Sequence, residues 1–314
     1  MSSLKTQTEP PVAGEPGAGK TTRRLTPALK VNREGLFWTT WRLLRKSPVG
    51  MVGLAMALIL VAVAIFAPLL ARYDPIALDM AHKLLPPSSQ YWFGTDELGR
   101  DVYSRIIYGS RISVEVGAIV ILIGSTLGIA IGSVAGYVGG RTDEIIMRVT
   151  DMFLAFPSLI LAIAVATVLG PGMTNAMIAI AATWWPWYAR LVRGQVLSVK
   201  QHEYVEAARA AGARHLRVLF RYILPNCVAP IIVQVTMDLG YAILTTASLS
   251  FIGLGAQPPT PEWGSMISAG RTYLMNYWWY PTFPGIAIFF SVLGFNLLGD
   301  ALRDIFDPRA RRMA

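Results

Sequence analysis

The chain has 314 residues, 54% of them hydrophobic and only 15% charged, with a mean hydropathy of +0.46. A soluble domain carries about 25% charged residues, so the deficit points to a polytopic membrane protein and excludes a cytosolic enzyme or a disordered chain. With one cysteine, Cys227, and three scattered histidines, His82, His202 and His215, no disulfide framework or metal site is expected.

Residues 1–47 read as a basic, largely flexible tail rich in Gly, Pro, Thr and Lys. Within it, GEPGAGKT at 14–21 fits the phosphate-loop spacing. Such a loop cradles phosphate only between a buried strand and a helix N-terminus. Here it follows Pro10-Pro11 with no apolar strand before it, so no nucleotide site is expected.

A membrane span needs about 20 predominantly apolar residues, and six are predicted, at 49–71, 112–138, 152–169, 175–191, 227–254 and 282–298. The first holds no charge; it starts too far into the chain, and is too long, for a cleaved signal peptide. In the second, Gly124, Gly128, Gly132, Gly136 and Gly140 recur at every fourth residue, a pattern that packs helices closely in lipid. That ladder reads either as static packing or as a seam along which helices rock. Glu115 sits near the outer end of the same span. The fourth span contains Trp184-Trp185-Pro186-Trp187, which suits an aromatic belt or a gate.

Between the fourth and fifth spans, residues 203–225 are too polar to cross a membrane yet keep helical periodicity. Tyr204, Ala207, Ala208 and Ala211 share one face, and Gly212 is placed to end that helix. A second helix over 214–222 aligns Leu216, Leu219, Phe220 and Ile223, with Pro225 expected to stop it. Glu206 offers a carboxylate. In the fifth span Asp238 lies too deep to reach the interface, so it either lines a path or fixes a neighbouring helix. After that span, 256–280 is rich in Pro and aromatics: Pro258, Pro259 and Pro261 bar a continuous helix, and Trp263, Tyr277, Trp278, Trp279 and Tyr280 suit a membrane interface.

Nine Lys and Arg residues precede the first span, and most others fall in 139–150, 190–225 and the C-terminal tail. Only Arg72, Lys83, Arg100, Arg105, Arg111 and Arg271 lie on the opposite side. Cytoplasmic flanks carry the basic excess, so both termini are expected in the cytoplasm. The net charge of +9 then reports topology, and no nucleic-acid partner is expected. The resulting organisation is a tail at 1–47, a first span at 48–71, an extracytoplasmic segment at 72–111, a five-span core at 112–301 containing the loop 195–225, and a tail at 302–314.

Glu206-Ala207-Ala208, then Gly212, then Ile223-Leu224-Pro225 resemble the EAA signature of ABC importer permeases. FGTDELGRDVYSRIIYGSRIS (93–113), SFIGLGAQPPTPEWGSMISAGR (250–271), NLLGDALRDIFDPR (296–309) and SPVGMVGL (47–54) resemble the C-type permease of dipeptide, oligopeptide and nickel importers. The resemblance implies an all-α, six-span permease of the type I importer fold in a bacterial inner membrane. It also implies a heterodimer with a B-type permease, two ATPase domains that hold ATP and Mg, and an extracytoplasmic solute-binding protein. This chain itself would bind no cofactor and be no enzyme. Carried onto this sequence, Glu203, Glu206, Ala207, Ala208, Gly212, Leu216 and Pro225 would form the ATPase-coupling loop. Trp263 and Arg271 would lie on the outer surface that receives the binding protein, and lipid would surround the spans. The alternative is a self-sufficient secondary transporter or channel, although no matching second half accompanies Asp238. The solute is not legible.

Overall fold

The structure, a computed structural model, describes residues 36–306. The GEPGAGKT segment, the basic residues before Leu36 and those from Arg309 onward lie outside the described residues. Every regular element described is helical. A short α1 (Leu36–Leu44) leads into α2 (Pro48–Leu70), where Ser47 Oγ accepts from Gly50 N–H at 3.1 Å and Pro48 occupies the first turn. Proline is favoured there because that N–H has no partner within the helix.

The helix α3 (Val102–Val138) has 37 residues, starting ten earlier than the predicted second span. The Asp101 carboxylate caps it, accepting from Ser104 N–H at 2.9 Å. Its first turns bury Val102, Ile106 and even Arg105 against the outer segment. A hydropathy window cannot see a helix whose extra turns carry charge satisfied by distant partners. Gly139 and Gly140, both at positive φ, close α3 and open α4 (Gly140–Leu154).

The predicted third span is corrected. α4 and α5 (Ser158–Leu169) meet at 87°, because Pro157 lacks an N–H donor and disfavours helical backbone at Phe156. At 12 residues, α5 is about 18 Å long and too short to cross alone. α6 (Met173–Val199) holds the predicted fourth span; it has 27 residues, but Asn175, Pro186, Tyr188, Arg190 and Arg193 dilute its apolar character. By length and composition, four helices can cross a membrane, or five if the bent pair counts as one.

α7 (Glu203–Ala210) and the single turn α8 (His215–Arg217) follow, then a π-helical stretch, Val218–Ile223, running directly into α9 (Leu224–Phe251). Pro225 therefore does not stop the second loop helix. It follows the π-helical turn Val218–Ile223, whose wider hydrogen-bond spacing accommodates the missing N–H, and residues 215–251 form one apolar helix. The short α10 (Trp263–Gly270) and the long, apolar α11 (Trp279–Phe306) complete the described chain.

The glycine ladder faces α6. A Cβ on Gly128 would overlap Tyr188 and Ala189, on Gly132 the backbone of Ala189, and on Gly136 the Val196 side chain. Gly124 leaves ordinary room, 3.5 Å to Trp184 Cβ, and Gly140, outside α3, meets nothing. The close contact thus belongs to three glycines, because the two helices touch most tightly along their C-terminal halves.

Candidate functional site

Two places bring chemistry-bearing residues together, and a polar layer at the start of α3 supports them. The first is the loop between α6 and α9. Val205 is fully buried, packed with Val196, Val199, Val218, Leu219, Ile223 and Cys227, and Ala208 is nearly fully buried. Glu203, Glu206, Ala207, Gly212, Leu216 and Pro225 are exposed. Ala208 is therefore the one predicted loop residue that faces inward, and Val205, not singled out from sequence, anchors the helix. As a branched apolar residue among small and polar neighbours, it carried the signal.

The turn after α7 explains the glycine. Ala213 N–H donates to Ala208 O at 3.1 Å and Gly212 N–H to Arg209 O at 2.9 Å, the paired bonds of a Schellman motif. Gly212 has φ +80°, with open space where a Cβ would stand, so backbone conformation rather than close approach demands glycine. Glu203 and Glu206 lie in the first turn of α7, where negative charge complements the helix dipole.

Braces from other helices hold the loop. Lys200 Nζ donates to Tyr137 O at 2.7 Å, and Tyr137 Oη pairs with His215 Nδ1 at 2.9 Å. Arg193 grips Asp143 with two nitrogens, at 2.5 and 2.6 Å, and Arg190 reaches Asp151 at 2.5 Å. These pairs tie α4 to α6, and no spacing in the sequence announced them.

The second place surrounds Asp238, halfway along α9. Gln234 Nε2 donates to Asp238 Oδ1 at 2.9 Å. A cavity of about 270 Å³ is lined by both residues and by Trp184, Trp187, Tyr188 and Tyr241. Trp184 is buried and stacks on Tyr241, ring centroids 5.3 Å apart and planes 17° apart. Trp185 points away, edge-on to Phe153. The tryptophan cluster thus splits across faces of α6 and forms no continuous belt.

At the N-terminal end of α3 a dense polar network fixes the starts of α3, α10 and α11. Asp96, fully buried, accepts from Arg100 Nε at 2.6 Å and from Arg100 N–H at 2.9 Å. Arg105 Nη1 donates to Pro75 O at 2.8 Å. Glu262 caps α10 through Gly264 and Ser265 N–H at 3.0 and 2.8 Å. Burial pushes its carboxyl above the usual carboxylate range, and those two donors pull it only partly back.

Trp263, expected at the outer surface, is buried; its Nε1–H donates to Ile106 O at 3.0 Å. Trp279 and Tyr280 are likewise core residues, which leaves Trp278 the exposed tryptophan of that run and Arg271 exposed nearby. Aromatic composition alone cannot tell an interfacial ring from one covering a domain's own core. Among the described residues no group of His, Cys, Asp and Glu could hold a metal ion.

Residues 128–312 match the profile described as the binding-protein-dependent transport system inner membrane component. The chain belongs to this family. Residues 35–87 match the N-terminal transmembrane domain of oligopeptide transport permease C. The probable D,D-dipeptide transport system permease protein of Escherichia coli K12 is 46% identical over 281 residues, covering 90% of this chain and 93% of that one. The glutathione transport system permease protein of Pectobacterium atrosepticum is 45% identical, covering 86% and 90%. The di/tripeptide transport system permease protein of Pseudomonas aeruginosa is 46% identical, covering 83% and 88%. A chain from an inward-facing structure of the MetNI methionine ABC transporter aligns with a TM-score of 0.52 at 18% identity, over 64% of this chain and 96% of that one; that likeness carries the fold alone.

This binding-protein-dependent permease is the inner-membrane component of an ABC importer, and ATP hydrolysis resides in partner subunits. Membership removes the alternative of a self-sufficient secondary transporter or channel. A component of such a system works with a partner permease, ATPases and a binding protein.

Proposed function

We propose that the chain is the C-type permease of an importer for dipeptides, oligopeptides or a similarly sized solute such as glutathione. In this reading it crosses the membrane six times with both termini in the cytoplasm, α6 and the bent α4–α5 pair completing the set. It forms the path with a homologous B-type permease, two ATPase domains close on its inner loop, and an extracytoplasmic binding protein delivers the solute to the outer segments around Arg271.

The observation that carries the coupling role is the Schellman turn at Gly212. It fixes α7 at an angle to the helix that follows and leaves Glu203, Glu206, Ala207 and Leu216 outward-facing, while Val205 and Ala208 root the loop in the helix bundle. A rigid lever with an exposed acidic tip suits docking against a separate motor. That motor biases the permease only through different contacts with its two states. Asp238 and its cavity are read as part of the solute path, because an intramembrane carboxylate near a helix midpoint ordinarily faces water or protein.

Co-purification of the tagged chain from its native membrane tests the assembly. The expected set is one related permease, ATPase subunits and a binding protein, with uptake of alanyl-alanine in vesicles rebuilt from them. Isolation of the chain without any ATPase, with full uptake in vesicles that lack one, overturns the reading.

A further inference from the structure

We propose that the cavity beside Asp238 is a subsite for the protonated amino group of the passing solute. The assignment rests on the reading of the chain as a peptide permease and deepens it.

Asp238 lies fourteen residues beyond Leu224, near the centre of the 28-residue α9. A carboxylate at that depth needs a counter-charge or donors. Its neighbours supply two neutral donors, the Gln234 amide and the Tyr188 hydroxyl, and no Lys, Arg or His lines the cavity. The Tyr188 hydroxyl is fully buried and faces the Asp238 carboxylate. The site therefore holds a carboxyl group answered only by neutral donors, with no cationic side chain in the cavity wall.

Apart from Ser158 at the start of α5, the rest of the wall is aromatic. Trp184 and Tyr241 stack, and Trp187 and Tyr241 are about half exposed at the cavity edge, 57% and 46%. Ring faces attract cations through their quadrupoles, tryptophan most strongly, and aromatic cages select organic ammonium groups. A small inorganic ion keeps its hydration shell and gains little from such walls. A peptide amine fits both features: its N–H groups meet Asp238 and the Tyr188 hydroxyl oxygen, and its charge lies against the rings. A weak subsite of this kind offsets the cost of carrying a charged terminus through low dielectric without trapping it.

The test uses the importer reassembled in lipid nanodiscs, with tryptophan fluorescence followed at neutral pH. Alanyl-alanine is expected to quench the signal, and N-acetyl-alanyl-alanine to bind at least about tenfold more weakly. Asp238→Asn should weaken the response to alanyl-alanine by about tenfold, and Trp187→Phe should remove most of the quenching. Trp187 is more exposed than not, so its replacement leaves the core intact even if the Asp238 variant misassembles. Methylammonium chloride should compete and sodium chloride at equal concentration should not. Equal quenching by the acetylated peptide, an unchanged response in Asp238→Asn, or equal competition by sodium overturns the subsite. Uptake of alanyl-alanine by the wild-type importer is measured alongside. Amine-dependent quenching without uptake of any peptide would overturn the peptide reading and leave the subsite standing, whereas uptake without quenching would do the reverse.

Discussion

Gly132→Ala and Gly194→Ala make the same chemical change and should move stability in opposite directions. A Cβ on Gly132 would lie 2.9 Å from Ala189 Cα and 3.0 Å from its carbonyl carbon, with the oxygen nearer still. Backbone cannot rotate aside as a side chain can, so α3 and α6 must part locally. A gap of about 0.5–1 Å forfeits a quarter to a half of the dispersion attraction along the contact, and overpacking of this kind costs about 1–3 kcal/mol. Exchanging glycine for alanine within a helix returns about 1 kcal/mol. Because the obstacle is backbone, the upper part of that range, about 2–3 kcal/mol, applies, and the net expectation is a loss of about 1–2 kcal/mol. Gly194, exposed on α6, has nothing within 4 Å and keeps only the gain, about 1 kcal/mol. The chain carries its own probe, since Cys227 is its single thiol and is fully buried. A fluorogenic maleimide therefore reports unfolding in detergent, and the two variants should melt several degrees apart on opposite sides of wild type. Equal or raised stability for Gly132→Ala would refute the close-packed contact.

The same thiol assay should separate the two ion pairs between α4 and α6. Asp143→Asn, which breaks the two-nitrogen grip of a partly buried Arg193, should cost about 1 kcal/mol, whereas Asp151→Asn, at a pair exposed on both sides, should change little. Equal losses would contradict the distinction. The carboxyl of Glu262 is raised by burial, so the folded chain binds its proton more tightly than the unfolded chain does. Stability relative to Glu262→Gln should then be greatest below the unfolded carboxyl pKa and fall as pH rises through the folded value. Circular-dichroism melts of both chains across mildly acidic to neutral pH check the sign, and a difference that grows with pH would contradict it.

Local signals were legible where they acted locally. The uncharged run that became α2, the glycine that ends α7 and the depth of Asp238 each depend on neighbours a few residues away. The proline that bends α4 from α5 was equally visible, but a continuous apolar run masked it. Other features depend on partners far along the chain. The first turns of α3 hold Arg105 because Pro75 and Asp96 receive it. Trp263 is buried because Ile106 offers its carbonyl, and the α4–α6 ion pairs join residues up to fifty positions apart. Pro225 was misread because a break in one register is the opening turn of the next. Of the candidate site, the loop's identity was readable; its inward anchor, Val205, and the aromatic cavity around Asp238 required the packing of α5, α6 and α9.

The central claim is that the loop carrying Glu206 and Gly212 transmits work from a separate ATPase, and solute imported per ATP hydrolysed in the rebuilt importer tests it most directly. Glu206→Arg reverses charge at an exposed position, and Gly212→Val forces a branched side chain into left-handed backbone, a cost of roughly 1–2 kcal/mol confined to the turn. Both variants should assemble in the membrane and leave the binding protein's affinity unchanged, while solute moved per ATP falls by about tenfold or more, the effect of about 1.4 kcal/mol of lost coupling. Uptake and ATP hydrolysis both at wild-type levels in the two variants would contradict the account.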